Sequence, residues 1–392
     1  MAFDVERARR ATPASERHVH LNNAGAALQP DPVLHAVHAH LDLEAELGGY
    51  EAAGIAADEI RGVYESIANL LHAGADEIAL VDSATRAWLT AFMAIPFEQG
   101  DRILTSSSEY ASNAIAYLQA AEREGVEVVE VPNDEDGALS VDELSRLMDE
   151  RVKLVSITHV PTSSGLVNDV AAVGRVVAGS NALYLVDACQ SAGQMPLDVA
   201  AIGCHLLSAT GRKYLRGPRG TGFLYVDRDR LDDLRPVAAD LHSATWIAPG
   251  AYQLREGAGR FELWERSVAT MLGLGAAVDH ALSFGIDETY ERVRRLADRL
   301  RTLLADVSAV TVRDVGRERC GIVTFTLDGV APIDLTRTLQ GIGIHIWHIE
   351  RASSRTDMTE RGLEAVSRAS VHAYNTDAEL EALGAALTEV GR

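Results

Sequence analysis

The chain reads as an α/β protein, with a mostly parallel sheet in a large domain and a smaller α+β domain after it. Three observations predict this. Seven short apolar runs, EIALV, RILT, VEVVEV, KLVSITHV, ALYLVD, HLLSA and TGFLYV, lie between Glu77 and Val226. Most are separated by segments with helical spacing, and strands alternating with helices predict a parallel sheet covered on both faces. After about residue 255 the pattern changes to two long helical stretches, three further strand-like runs and a closing helix.

In order, residues 1–25 form an arm expected to join the small domain. HLNNAGAALQP continues past it with a Gly-Ala stretch and Pro30. PVLHAVHAHLDLE and DEIRGVYESIANLLHA have helical periodicity, and Ile60, Val63, Tyr64, Ile67 and Leu71 fall on one face. Residues 26–255 make the large domain. Among its helices, VDELSRLMDE is preceded by Ser140 as an N-cap. TGFLYV follows HLLSA after a short turn and is expected to be the antiparallel strand. Residues 256–392 make the small domain. SVATMLGLGAAVDHALSFGI and ETYERVRRLADRLRTLLADV are its helices, GIVTFTL, GIHIWHI and SRASVHAY its strands, and DAELEALGAALTEV its last helix.

The 392 residues carry a formal net charge of −21, with 47% hydrophobic and 24% charged residues. Such an acidic chain is not expected to bind nucleic acid or an anionic membrane, so any basic feature must be local. The N-terminal stretch MAFDVERARRATPASERHVH lacks an apolar h-region, and no uninterrupted apolar run reaches spanning length. Cys189, Cys204 and Cys320 are too few and too widely spaced for a disulfide framework or a Cys-x-x-Cys site, so a reducing, cytoplasmic setting is expected. His35, His38 and His40 share a helix, but metal-binding triads of that spacing are uncommon, and no metal is expected. LGLGAAVDHA contains Gly-x-Gly but follows no strand and lacks the third glycine of a dinucleotide site, so helix packing accounts for it better.

The local basic feature is SATGRKYLRGPRGTGFLYV, where Lys213 stands between Arg212 and Arg216 on a glycine-rich turn. Upstream, ALYLVD ends in Asp187, followed by Cys189 and Gln190. Alone, Asp187 reads as a turn cap. HLLSAT, however, also ends in polar residues, and adjacent strand ends would bring Asp187 and Lys213 to one rim, where parallel sheets bind ligands. One economical use of this pair is pyridoxal phosphate: the lysine amine forms an imine with the aldehyde, and the aspartate keeps the pyridine nitrogen protonated. Arg212 and Thr210 are candidate phosphate donors. Ser83, Ala84 and Thr85 open a helix after a strand and present N–H groups and hydroxyls to an anion, although Ser83 and Thr85 alone read as N-caps.

These residues carry a family resemblance. ATGRKYLRGPRGTGFLYV is similar to the Lys-containing segment of class V aminotransferase-fold enzymes, the group that includes cysteine desulfurases. HLNNAGAALQP, SSSEYASN, ITHVPTSSGLVND, VDACQSAGQMPLDV and SRASVHAYNT resemble further segments of that family in the same order. The resemblance implies fold type I, with a mostly parallel seven-stranded-type sheet, pyridoxal 5′-phosphate as cofactor and a homodimer. It implies Lys213 as the imine-forming lysine, Asp187 as the pyridine-nitrogen partner and Gln190 as the partner of the phenolic oxygen. Ser83, Ala84, Thr85, Thr210 and Arg212 would hold the phosphate, and Tyr110 would stack on the ring where the family usually has histidine. Arg368 would clamp the substrate carboxylate, Thr162 would contact both the cofactor and the substrate, and Asn23 would be a further substrate contact.

The departures narrow the chemistry. The segment GIHIWHIERASSRTDMTERGLEAVSR, where a desulfurase carries its loop cysteine, has none around Ala352, Ser353 and Ser354. Serine is too poor a nucleophile toward sulfur to replace a thiolate. RFELWERS, with Trp264 and Glu265, replaces a small-residue stretch that often reaches the partner's phosphate. What remains resembles cysteine-free C–S lyases and isopenicillin N epimerase-like proteins. The leading expectation is β-elimination from a cysteine derivative. The alternatives are epimerisation or transamination of an amino acid, and a cofactor-free binding protein on the same fold.

Overall fold

The computed structural model describes residues 3–391. Its centre is a seven-stranded sheet. From one edge to the other the strands are Ile78–Val81, Gly222–Val226, Leu206–Thr210, Leu183–Asp187, Val152–Thr158, Arg102–Ser106 and Glu127–Val131. Gly222–Val226 is antiparallel to both neighbours and the other ladders are parallel, so six strands run one way. The inner strands are buried along their whole length, which is why LYLVD and LLSAT read as continuous apolar runs. The edge strand Glu127–Val131 instead exposes Glu127 and Glu130, charges that discourage pairing with another chain.

Helices cover both faces. Ala57–Leu71 buries Val63, Ile67 and Leu71 against the sheet, with Ile60 and Tyr64 packed beside them. Ser140 caps Val141–Leu147, its hydroxyl accepting the Glu143 N–H at 3.3 Å. Val268–Leu282 packs on Asp31–Leu47 and Ala57–Leu71, and its Met271, Leu274 and Val278 belong to the core of the central sheet. The large domain's packing therefore runs past the border at 255 drawn from sequence texture, because this helix buries its apolar residues against the large domain.

The C-terminal unit is a four-stranded antiparallel sheet in the order Val310–Val312, Ile322–Leu327, Ala365–Ser370, Trp347–Glu350. Ile286–Ala305 and Asp377–Val390 pack together beside it. The N-terminal arm reaches this unit. Val19–His20 pairs in parallel with Ile344–His345, Leu21 sits in its core, and Arg9 bonds Glu379 at 2.9 Å. A hairpin, Ala244–Ala248 with Ala251–Leu254, stands out from the large domain. No single helix among the described residues is long and apolar enough to cross a membrane.

His20 and His372 lie in the joints between these parts, and His159 is buried within the large unit. Burial lowers His20 and His159 to about 4 and His372 to about 3. The folded chain therefore refuses protons that the unfolded chain accepts below about 6.5, so stability falls as pH drops from 6.5 toward 4. Urea titrations should show a lower midpoint at pH 5 than at pH 7, with a loss of up to about 1.4 kcal/mol per pH unit per histidine. His372→Asn should flatten that slope, and a midpoint independent of pH over this window would contradict the reading.

Candidate active site

The six like-oriented strands bring their carboxyl ends to one rim. Asp187 and Thr210 end adjacent strands, Thr158 ends the next one, Ser83 follows Ile78–Val81, and Tyr110 follows Arg102–Ser106. A cleft of about 530 Å³ opens there. Ser83, Ala84, Thr85, Tyr110, Thr162, Asp187, Gln190, Thr210, Arg212 and Lys213 all line it, together with Thr158, Val160 and Cys189.

Asp187 is held on both oxygens. Oδ1 accepts the Cys189 N–H at 2.9 Å, and Oδ2 accepts from Asn113 Nδ2 at 3.1 Å. Lys213 faces it from the next strand's turn. Burial lowers the lysine's proton affinity, Cys189 and Asp187 oppose that, and Arg212 and Arg368 add to it. The Cys189 thiol hydrogen-bonds Lys213 but is itself pushed up by burial, so it stays protonated near neutral pH. Gln190 is buried, donates to the Ala24 carbonyl at 3.1 Å, and leaves Oε1 without a partner.

At the other end of the cleft, Ser83 caps the helix Ala84–Met93, its hydroxyl accepting the Arg86 N–H at 3.1 Å. First-turn N–H groups have no intrahelical acceptor and so face an anion. Gly222 makes this end possible: a Cβ there would lie 2.5 Å from the Ser83 carbonyl carbon, so only glycine lets its strand approach the helix start. Thr210 donates to the Thr221 carbonyl at 3.1 Å, and Arg212 to the Gly25 carbonyl. Tyr110, 41% exposed, stands at the N-cap of Ala111–Glu124 with its ring at the cleft.

Arg368, from the small unit, is 3% exposed and donates to Thr162. Its Nε has no partner, and no described carboxylate forms an ion pair with it. Burial lowers it to about 10, which leaves it cationic at neutral pH. Asn23, expected to touch substrate, does not line the cleft. Its Nδ2 donates to the Ser370 carbonyl at 2.8 Å and its Oδ1 accepts from Tyr374 at 2.6 Å, so its polar groups are spent joining the arm to the small unit. The neighbouring Ala24 carbonyl, held by Gln190, is what this segment offers the site. His40 is buried against Glu44, whereas His35 and His38 are exposed.

Sequence reasoning passed over Glu109. Its carboxylate is buried and accepts from Tyr110 N–H (2.7 Å), Asn113 Nδ2 (2.9 Å), Tyr117 Oη (2.9 Å), Thr105 Oγ1 (3.1 Å) and Thr158 Oγ1. Asn113 thus spends one amide hydrogen on Glu109 and the other on Asp187. Burial and the Asp187 charge raise the Glu109 carboxyl, while the Thr158, Asn113 and Tyr110 donors lower it. The signal was a polar i, i+4, i+8 face (Glu109, Asn113, Tyr117) on a helix start.

Residues 19–383 match the class-V aminotransferase model, and the chain belongs to that family. Its fold is the α/β fold type I of pyridoxal phosphate enzymes, the cofactor this family uses. A probable cysteine desulfurase of Methanothermobacter thermautotrophicus is 29% identical, with 98% of each chain covered. The apo structure of a Thermococcus onnurineus cysteine desulfurase superposes with a TM-score of 0.91 at 23% identity, covering 100% of this chain and 98% of that one. The cystine C–S lyase C-DES, solved with its product cysteine persulfide, gives 0.87 at 23% identity, covering 96% and 99%.

The residues fit pyridoxal phosphate: an orphaned Gln190 oxygen, an amine and an anchored carboxylate share one cleft with a helix start. Three of the five Glu109 donors are hydroxyls that can reverse direction, whereas the Tyr110 and Asn113 N–H groups cannot. Glu109→Gln should therefore cost about 1 kcal/mol and Glu109→Ala about 3 kcal/mol in urea unfolding. Equal losses for the two variants would reject this account.

Proposed function

We propose that this chain is a pyridoxal phosphate-dependent lyase that cleaves the C–S bond of a cysteine-derived amino acid or S-conjugate by β-elimination. Arg368 carries the amino-acid part of the reading: a desolvated guanidinium with no carboxylate partner among the described residues, which does not itself line the cleft but donates to Thr162, which does. Such a fork recognises a carboxylate. The sulfur part is supported by relatives described as cysteine desulfurases and by the cystine C–S lyase. Release of a free thiol, rather than its capture, is supported by the segment Arg351–Arg368, which has no cysteine. Cys320, the nearest upstream, is fully buried with its thiol pushed up to about 12.

Bound in the cleft, pyridoxal 5′-phosphate supplies an aldehyde for the substrate amine and a ring that draws electrons from Cα. The helix start at Ser83, Ala84 and Thr85, with Thr210 and Arg212, holds the phosphate end. Asp187 holds a proton at the ring nitrogen, and Asn113 and the Cys189 N–H fix its orientation. Arg368 and Thr162 orient the substrate carboxylate. The Lys213 amine, which burial favours in its neutral form, takes the Cα proton. A conjugate R–S–CH2–CH(NH3+)–COO− and one water end as R–SH, pyruvate and ammonium.

The test is incubation with S-substituted cysteines, assaying pyruvate and thiol together. Both should form in equal amounts. Lys213→Ala should abolish turnover, and Arg368→Ala should raise KM by about 10- to 100-fold, the value of a charge-assisted pair. Amino acid recovered α-deuterated from heavy water, without pyruvate, would replace elimination with epimerisation, and keto-acid formation with amino transfer would indicate transamination. Protein that stays colourless with added pyridoxal phosphate would point to a binding role.

We further propose a homodimer without nucleic-acid or membrane partners, working in the reducing cytoplasm, where three free cysteines are stable. A second copy is supported by exposed apolar side chains on the hairpin, Trp246 (78% exposed) and Tyr252 (66%), and on the helices Asp31–Leu47 and Gly49–Ile55. A cleft of about 1010 Å³ lies behind the phosphate end, lined by Arg86, Thr221, Glu265 and Arg266. Light scattering should give twice 42.1 kDa. Trp246→Glu with Tyr252→Glu should lower that mass, and a monomeric parent would reject the dimer.

A further inference from the structure

Arg216 stands three residues after Lys213 with φ +64°, a left-handed conformation that side chains other than glycine rarely adopt. Yet this position, in a turn rich in glycine, carries an arginine that is 3% exposed. No described carboxylate neutralises it; its guanidinium lies 4.6 Å over the Tyr374 ring. Two costs, a strained backbone and a buried unpaired cation, persist only where the surroundings over-determine them.

The side chain's contacts show what over-determines it. Nε donates to the Leu28 carbonyl at 2.8 Å, and an Nη donates to the Thr12 hydroxyl, which itself donates to the Ala8 carbonyl at 2.8 Å. Its own N–H donates to the Lys213 carbonyl at 2.9 Å, and Gly217 N–H closes the loop on Gly211 at 2.7 Å. The segment just after the arm grips the loop as well: Ala27 N–H bonds the Arg212 carbonyl at 3.0 Å, and Gln29 bonds Gly217 at 3.1 Å. The arm is in turn fixed to the small unit by Arg9, which bonds Glu379 at 2.9 Å and the Tyr374 carbonyl at 3.2 Å.

We propose that Arg216 is a positioning residue for Lys213, a tether through which the N-terminal arm and the small unit hold the catalytic turn in the one conformation that aims the amine into the cleft. The inference rests on Lys213 as the amine that takes pyridoxal phosphate. Glycine adopts φ +64° freely. Arg216→Gly therefore relieves the backbone strain while removing the tether, and it separates the two roles.

Cofactor-free protein is mixed with pyridoxal 5′-phosphate and quenched with borohydride at intervals. Condensation of amine and aldehyde expels water, hydride reduces the C=N bond, and mass spectrometry counts the secondary amine left on Lys213. Arg216→Gly should attach the cofactor about tenfold more slowly and shift the pH midpoint of the bound cofactor's absorbance band, and Arg216→Lys should recover part of both. Thr12→Val, which removes only the hydroxyl that receives the guanidinium, should slow attachment about two- to fivefold and covers the case in which the glycine variant fails to fold. Parental rates and midpoints in Arg216→Gly, or in Thr12→Val when only that variant folds, would overturn the tether while leaving the site intact. Failure of the parent to label at Lys213 would overturn the site and the tether together.

Discussion

An aspartate that ends one strand and a lysine in the turn after its parallel neighbour, the first buried and the second half-buried at the same rim, set the terms for everything around them. Desolvation destabilises each charge, so each needs partners, and the fold supplies them. Asp187 is gripped by Asn113 and by a backbone N–H. Lys213 is pushed toward its neutral form by burial with Arg212 and Arg368 nearby. A neutral amine is a better nucleophile and base than an ammonium, so burial suits the lysine to the role proposed for it.

The same logic explains the long-range architecture. A cleft built from strand ends is open by construction, and its lining residues Thr162, Gln190 and Asp187 are held here by elements remote in sequence. Arg368 comes from a small-unit strand, Ala24 from the arm, and Asn113 from a helix start three strands away from Lys213. The Arg368–Thr162 and Gln190–Ala24 contacts cross boundaries between parts of the chain. The arm therefore holds Gln190 in the cleft through the Ala24 carbonyl while contributing no side chain to the cleft's lining.

The segment 351–360 contains no cysteine and is fixed in place by its one buried carboxylate. Asp357 is buried, accepts from Ser163 at 2.9 Å and Arg361 at 3.0 Å, and donates its N–H to the Ser107 carbonyl at 3.1 Å. The segment is stapled to the turn that bears Thr162.

The sequence by itself determined the succession of strands in the central sheet, the reversed strand at TGFLYV and the lysine–aspartate pair, because buried parallel strands and strand-end turns leave local signatures: apolar runs, then glycine and polar residues; the exposed hairpin Ala244–Ala248 with Ala251–Leu254 left no such signature. Asn23 could not be placed from sequence. It adjoins cleft-forming residues in the chain, but its hydrogen bonds run to Ser370 and Tyr374, some 350 positions away. Glu109 and Arg216 were equally opaque, since a buried carboxylate with five donors and an arginine held at φ +64° look like ordinary surface charges until the partners are in place. Only the tertiary structure decided which polar groups are satisfied and which remain open to a ligand, because desolvation depends on what folds over a residue and not on its neighbours in the chain.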